Sequence, residues 1–386
     1  MQLHFTREEH EARIEAARRQ LRERGLSALL LFAQESHFYL TGFDTTGYVF
    51  FQCAVLTADD QPITLLTRRP DLQQARDTSI ITDIRIWYDA EGVNPAMELR
   101  AILEEKGLKG ERVGIELNTY GLTGLSYERV RLALDGWCRL EDASDVVRSL
   151  RVRKSPAELA YVRRAAALAD EALLAMLKRA RPGVLDTALT AAGMSAILEG
   201  GGDMPPAGPL VNSGRRALFG RSASGAHEIQ PKDQITIEFA ATYHRYNVCI
   251  MRTAIIGEPE PGHLRLFGVV KDALHAMTEA AAPGRPLGEI DDAHRRVMDA
   301  AGHQVNRFSA CGYSLGATYR PNWMDVPPML YSGNPMPARP GMVLFMHSML
   351  TDATAGLAMS LGHTVVITES GREILSKLAL DLPVAA

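Results

Sequence analysis

The sequence predicts a two-domain α+β protein, and three observations carry that prediction. Short apolar runs alternate with helical periods through the first 145 residues; the pattern changes at Ser155, where a long helix begins; and two later segments of similar build each read as a strand, a turn and a returning strand. At 386 residues, with 46% hydrophobic and 23% charged residues, the chain can bury at least one full core, and its length favours two domains over one.

Residues 7 to 25 have the period of an amphipathic helix, and LSALLLFA at 26 to 33 is the kind of apolar run found in buried parallel strands. YVFFQCAVLT (48 to 57), PITLLT (62 to 67), IRIWY (84 to 88) and RVGIE (112 to 116) read as further strands, with helices near 70 to 77 and 95 to 107. The short connections predict a mixed or parallel sheet covered by helices, an α/β domain spanning residues 1–148. In SPAELAYVRRAAALADEALLAMLKRA, Ser155 precedes Pro156 and Glu158 stands at the capping-box position, so a long helix opens a second domain, residues 149–386. There QITIEFAATYHRYNVCIMRTAIIG (234 to 257) and GMVLFMHSMLTDATAGLAMSLGHTVVITESG (341 to 371) each follow a polar turn. Their likeness suggests an internal duplication in which two hairpins face one another across a shared cavity.

The formal net charge of -4 offers no basic excess for a phosphate backbone, so no nucleic-acid partner is expected. Cys53, Cys138, Cys249 and Cys311 lie far apart with no CxxC spacing, which signals neither a zinc site nor a disulfide framework and suits a reducing, cytoplasmic setting. The N-terminal residues are charged and helical in period, without an apolar signal core, and no stretch approaches the length of a membrane span.

Three stretches resemble the creatinase, prolidase and aminopeptidase P family: FYLTGFD at 38 to 44, LRVRKSPAELAYVRRAA at 150 to 166, and PGMVLFMHSM with HTVVITESG at 340 to 349 and 363 to 371. The resemblance implies a creatinase-like N-terminal α/β domain followed by a pita-bread domain, a curved and mainly antiparallel sheet covered by helices. Metallopeptidases of that family hold two divalent ions with two aspartates, a histidine and two glutamates. Carried onto this chain, those positions fall on Glu238, Cys249, Tyr313, His347 and Gly362, so none of the five ligands stands as expected. The pattern is similar to the branches that hydrolyse C–N bonds without metal. Ectoine hydrolases resemble it through Glu238, Ala240, Tyr243 and Arg245-Tyr246, and creatinases more distantly. Resemblance to creatinases also implies a homodimer in which the N-terminal domain nears the partner's active site, with Phe43 and Tyr48 as candidate visitors.

In QITIEFA, Ile235, Ile237 and Phe239 share one face of a strand and Thr236, Glu238 and Ala240 the other. A glutamate there is costly to bury unless it is paired with an arginine or used in chemistry. A carboxylate can attack an amidine or strained amide carbon, or serve as base to a water. His347 and His363, at or beside lost ligand positions, are candidates to move protons near neutral pH, with satisfied core histidines as the alternative. His227 or Arg221 corresponds to the catalytic histidine of creatinases, and the alignment leaves both open. Cys249 is a candidate nucleophile or plain core filler. Arg221 and Arg320, with Arg215 and Arg216, are candidate clamps for a substrate carboxylate, and Tyr313, Tyr243 and Trp323 candidates for a hydroxyl donor and an aromatic wall. The expectation is a metal-independent, cofactor-free hydrolase of a non-peptide C–N bond in a small carboxylate-bearing compound, a cyclic amidine, lactam or guanidino compound. Its rivals are a remodelled single-metal peptidase using Glu238, His347 and His363, and a non-catalytic binding protein on the same fold.

Overall fold

The computed structural model describes residues 3–385, which divide into two compact units, one ending at Arg151 and one beginning at Val152. The first unit runs α1 (Arg7–Arg24), β1 (Ala28–Leu31), α2 (Gln34–Thr41), β2 (Cys53–Thr57), β3 (Thr64–Arg68), α3 (Leu72–Thr78), β4 (Asp83–Trp87), α4 (Pro95–Glu105), β5 (Arg112–Ile115), α5 (Gly124–Leu134), β6 (Arg139–Asp142) and α6 (Asp145–Arg151). Thr6 caps α1 by accepting from the Glu9 amide, and Gly25, at φ 65°, ends it in the left-handed conformation. The six strands form one mixed sheet in the order β4-β3-β2-β1-β5-β6, with β1 antiparallel to β2 and parallel to β5. The stretch expected as one strand from 48 to 57 starts instead with a 3-10 turn, Gly47–Val49, and pairs only from Cys53. Glu116 is buried at the C-terminal end of β5, where its carboxylate accepts from the Phe32 and Ala33 amides and the Ser36 hydroxyl. It thus satisfies donors at the start of α2 that would otherwise be orphaned.

The second unit opens with α7 (Pro156–Arg179), whose Ser155–Glu158 capping box forms as the sequence predicts, and α8 (Asp186–Glu199). There follow β7 (Leu210–Ser213), β8 (Gln234–Tyr243), β9 (Tyr246–Ile256), α9 (Pro261–Ala280), α10 (Gly288–Ala300), β10 (Gly312–Leu315), β11 (Met324–Leu330), β12 (Val343–Asp352), β13 (Leu357–Ile367), β14 (Arg372–Ile374) and β15 (Val384–Ala385). The curved sheet runs β11-β10-β12-β13-β9-β8-β7, its successive pairs antiparallel, with β14 on β13 and β15 parallel to β9. The two similar hairpins therefore lie side by side, joined where Gly362 meets Met251, and do not face one another across a cavity as the sequence suggested. A single sheet pairs the backbone groups of both hairpins, which two facing sheets would leave as exposed edges.

Leu344 and Met346 of β12 and Leu361, Val365 and Ile367 of β13 share a core with Val270, Leu274 and Met277 of α9 and with Ile290 and Met298 of α10. Strand alternation sends Phe345, His347, Met349 and Thr351, and likewise Ser360, Gly362 and Thr364, to the opposite, inner face. No helix among the described residues is long and apolar enough to cross a membrane.

Candidate active site

The inner face is organised in rows by the strand register. Glu238 on β8 is opposite Met251 on β9, Met251 is opposite Gly362 on β13, and Gly362 is opposite His347 on β12. In the neighbouring row Ala240 is opposite Cys249, while Thr364 is opposite Phe345 and Phe345 opposite Tyr313 on β10. The Cys249 amide donates to the Thr364 hydroxyl at 3.1 Å and closes that row. Glu238, Cys249, Tyr313, His347 and Gly362 thus fall on two adjacent rows of one face.

The Tyr313 hydroxyl donates to Glu238 Oε1 at 3.2 Å, and the Trp323 indole N–H donates to the Tyr313 oxygen at 2.8 Å. Glu238 has no ion-pair partner among the described residues. Burial pushes its carboxyl from 4.5 to about 7, opposed by the Tyr313 hydrogen bond and by the Arg221 charge. Burial likewise holds the Tyr313 hydroxyl well above 10, so it stays a proton donor in the hydrogen-bond chain. Beside Glu238 lies a narrow cleft lined by Asn212, Thr236, Met251, Thr351, Ser360, Phe219 and Phe308.

The side chains at the five positions do not fit a dinuclear metal centre. A Cβ on Gly362 would meet the Phe345 ring at 2.8 Å, so an aromatic side chain occupies the space a second glutamate needs. Phe345 is fully buried, with ring centroids 5.3 Å from Tyr313 and 5.6 Å from His347, and this apolar cluster replaces hard oxygen donors. Among the described residues no group of three or more His, Cys, Asp or Glu side chains converges as a metal site.

Several expected site residues lie elsewhere. His363 is on the outer face, bonded through Nε2 to the Thr278 hydroxyl of α9 at 2.9 Å, because its neighbour Gly362 takes the inner position. It therefore cannot join Glu238 and His347 around a single ion. His347 does reach the inner face, but burial and the nearby His294 push it down to about 4, and burial, Arg252 and His275 push His363 to about 3. Both are neutral at pH 7, so the expected titration near neutrality belongs to Glu238 instead. Cys249 is fully buried, and burial and the Glu238 charge hold its thiol well above 9; it packs and does not supply a thiolate.

His227 pairs with Asp233 at 3.1 Å and its amide donates to Asp186, while Arg221, whose charge reaches Glu238, is exposed with Nη1 on the Gly220 carbonyl. Arg216 is committed to the Ala223 and Gly225 carbonyls, and Arg215 and Arg320 are exposed. Tyr243 ends β8, five residues and roughly 17 Å of strand from Glu238, and packs on Tyr161 of α7 with ring centroids 5.8 Å apart. Phe43 and Tyr48 are 0% and 6% exposed in the first unit and are core side chains; the outward apolar residues of that segment are Val49 and Phe50, at 63% and 51%. The sequence reading missed Phe345, Ser360 and Asn212, although alternation in steps of two from His347 sets Phe345 on the same face, as alternation along β8 sets Thr236 beside Glu238.

A half-buried carboxylate on the inner face of a curved antiparallel sheet, in a unit that follows a mixed-sheet unit along the chain, is the arrangement of a pita-bread protein. Residues 160–369 match the model of metallopeptidase family M24 and residues 13–153 that of the creatinase/prolidase N-terminal domain; the chain belongs to the M24 family. It is 27% identical over 397 residues to an ectoine hydrolase of Halomonas elongata, covering 98% of both chains, and 24% identical over 238 residues to an Xaa-Pro dipeptidase of Pyrococcus furiosus, covering 62% of this chain and 67% of that one. In solved structures, the prolidase of Thermococcus sibiricus has the same fold, with a TM-score of 0.88 at 19% identity over 97% of this chain and 99% of the other.

Proposed function

We propose that this hydrolase-family protein cleaves a non-peptide C–N bond in a small, carboxylate-bearing cyclic amidine, guanidino compound or lactam, without a metal, in a reducing cytoplasmic setting. The observation that carries the reading is Glu238: a half-buried carboxylate held by Tyr313, without a cationic partner of its own among the described residues, beside a cleft on the inner face. The similarity to an ectoine hydrolase over 98% of both chains supports the same class of substrate. Ionised Glu238 attacks the electrophilic carbon, a C–O bond forms and the C–N bond breaks as nitrogen takes a proton, and water then releases the carboxylate; alternatively Glu238 takes the proton of the attacking water. Either way one water is consumed, and the product carries C=O and N–H where the C–N bond stood. Arg221, whose charge reaches Glu238, is the candidate for the substrate carboxylate.

A prolidase-like reading rests on the Pyrococcus relative and the shared fold. Thermal-shift screening against ectoine, hydroxyectoine, creatine, lactams and proline dipeptides, followed by turnover assays, separates the two. Stabilisation and turnover with proline dipeptides alone would refute the C–N reading proposed here. We also propose a homodimer. With Phe43 and Tyr48 buried, Val49 and Phe50 are the outward residues of that segment, and a monomer in light scattering at micromolar concentration would dismiss it.

A further inference from the structure

The cleft beside Glu238 contains a second acceptor that nothing in the protein satisfies. Asn212 is 2% exposed, and its Oδ1 is buried without a hydrogen-bond partner among the described residues. Its Nδ2 points toward the carbonyls of Phe219 and Arg221, at 3.4 and 3.5 Å. Turning the carboxamide over would set Oδ1 against those two oxygens, so this orientation is the one the surroundings support. Leu210 is opposite Glu238 and Asn212 is opposite Thr236, which puts Asn212 and Glu238 on one face as diagonal neighbours, with backbone positions about 7–8 Å apart. Two of the hydroxyls that line the cleft are engaged: Thr236 with the Asn212 carbonyl at 3.5 Å, Ser360 with Thr253 at 3.1 Å.

We propose that Asn212 Oδ1 accepts a hydrogen bond from the substrate's C–N headgroup, so that Asn212 and Glu238 together select an amidinium or guanidinium group over a lactam. This rests on the reading of Glu238 given above and narrows its substrate class. An amidinium presents an N–H on each side of its central carbon and can give one to each acceptor. A lactam presents one N–H and a carbonyl oxygen, which would face an acceptor on either side. Pairing the buried Oδ1 only in the complex also turns an unsatisfied group into part of the selectivity, as in sites that reject analogues lacking a donor.

The test is calorimetric titration of wild type, Asn212→Leu and Asn212→Asp with ectoine and acetamidinium, and with pyroglutamate and 2-pyrrolidinone as matched lactams. Wild type should prefer the amidines. Asn212→Leu should bind them at least about tenfold more weakly while melting close to wild type, since losing an unpaired buried acceptor offsets losing two long Nδ2 contacts. Asn212→Asp, which burial and the facing Phe219 and Arg221 carbonyls hold protonated, can donate its hydroxyl to those carbonyls and keep the other oxygen as acceptor, so it should restore binding; in turnover the leucine variant should raise KM far more than it lowers kcat. Equal amidine affinity in wild type and Asn212→Leu overturns the assignment and leaves the Glu238 reading standing. Loss of binding in both variants together with early melting also overturns it, because that marks a structural role. Preference for lactams, with turnover abolished in Glu238→Gln, refutes the selectivity and keeps the hydrolase; binding of neither class refutes both.

Discussion

Replacing Glu238 with glutamine should stabilise the protein at pH 8 while abolishing turnover. Burial raises the carboxyl from 4.5 to about 7, which corresponds to about 3 kcal/mol at roughly 1.4 kcal/mol per pH unit. Because the folded state holds this proton more tightly than the unfolded chain, the protonated carboxyl favours folding, and that stability is lost as pH rises from 4.5 through 7. Above pH 7 the native state carries a charge in a half-buried, poorly solvated position. Glutamine keeps an oxygen to accept from Tyr313 and removes the charge. The variant should therefore gain up to about 3 kcal/mol at pH 8, roughly 6–12 °C in Tm for a unit of this size, and almost nothing at pH 4. Calorimetry of both proteins from pH 4 to 8, with turnover measured alongside, tests this. A structural ion pair predicts the opposite sign, a loss of about 3–5 kcal/mol on breaking it. An earlier-melting Glu238→Gln, or one that still turns over substrate, would refute the reasoning.

Activity should rise with pH through about 7 as Glu238 ionises, with no further limb between pH 5 and 9 from His347 or His363, which titrate near 4 and 3; a kcat/KM profile centred elsewhere would contradict this. Tyr313→Phe removes the hydroxyl that favours the ionised carboxylate and leaves the Trp323 N–H without its acceptor, so it should melt earlier and move the acidic limb to higher pH. Gly362→Glu alone should be strongly destabilising because the Phe345 ring fills its space, and adding Phe345→Ala should recover part of the loss; additive losses in a double-mutant cycle would argue against that packing. Purified protein should carry no stoichiometric transition metal and lose no activity to EDTA, and elemental analysis finding one zinc or manganese per chain would contradict it.

What the sequence determined follows from local rules. The Ser155–Glu158 capping box opens α7, and the buried run LSALLLFA contains β1. Along QITIEFA, alternation sets Glu238 against Ile235, Ile237 and Phe239, which are all fully buried. Those signals lie within a few residues of one another, so no knowledge of distant partners is needed to read them. What only the tertiary structure decided depends on register between strands far apart in the chain. The pairing of Gly362 with both His347 and Met251 sends His347 inward and His363 outward, a difference of one residue that reverses the face and the surroundings of a side chain. The same register lays the Phe345 ring over Gly362 and brings Tyr313, 75 residues away, onto Glu238. Burial sets the charge states in turn: the same low-dielectric face that holds His347 neutral raises Glu238 toward pH 7, and neither value can be assigned until the strands that desolvate these groups are in place.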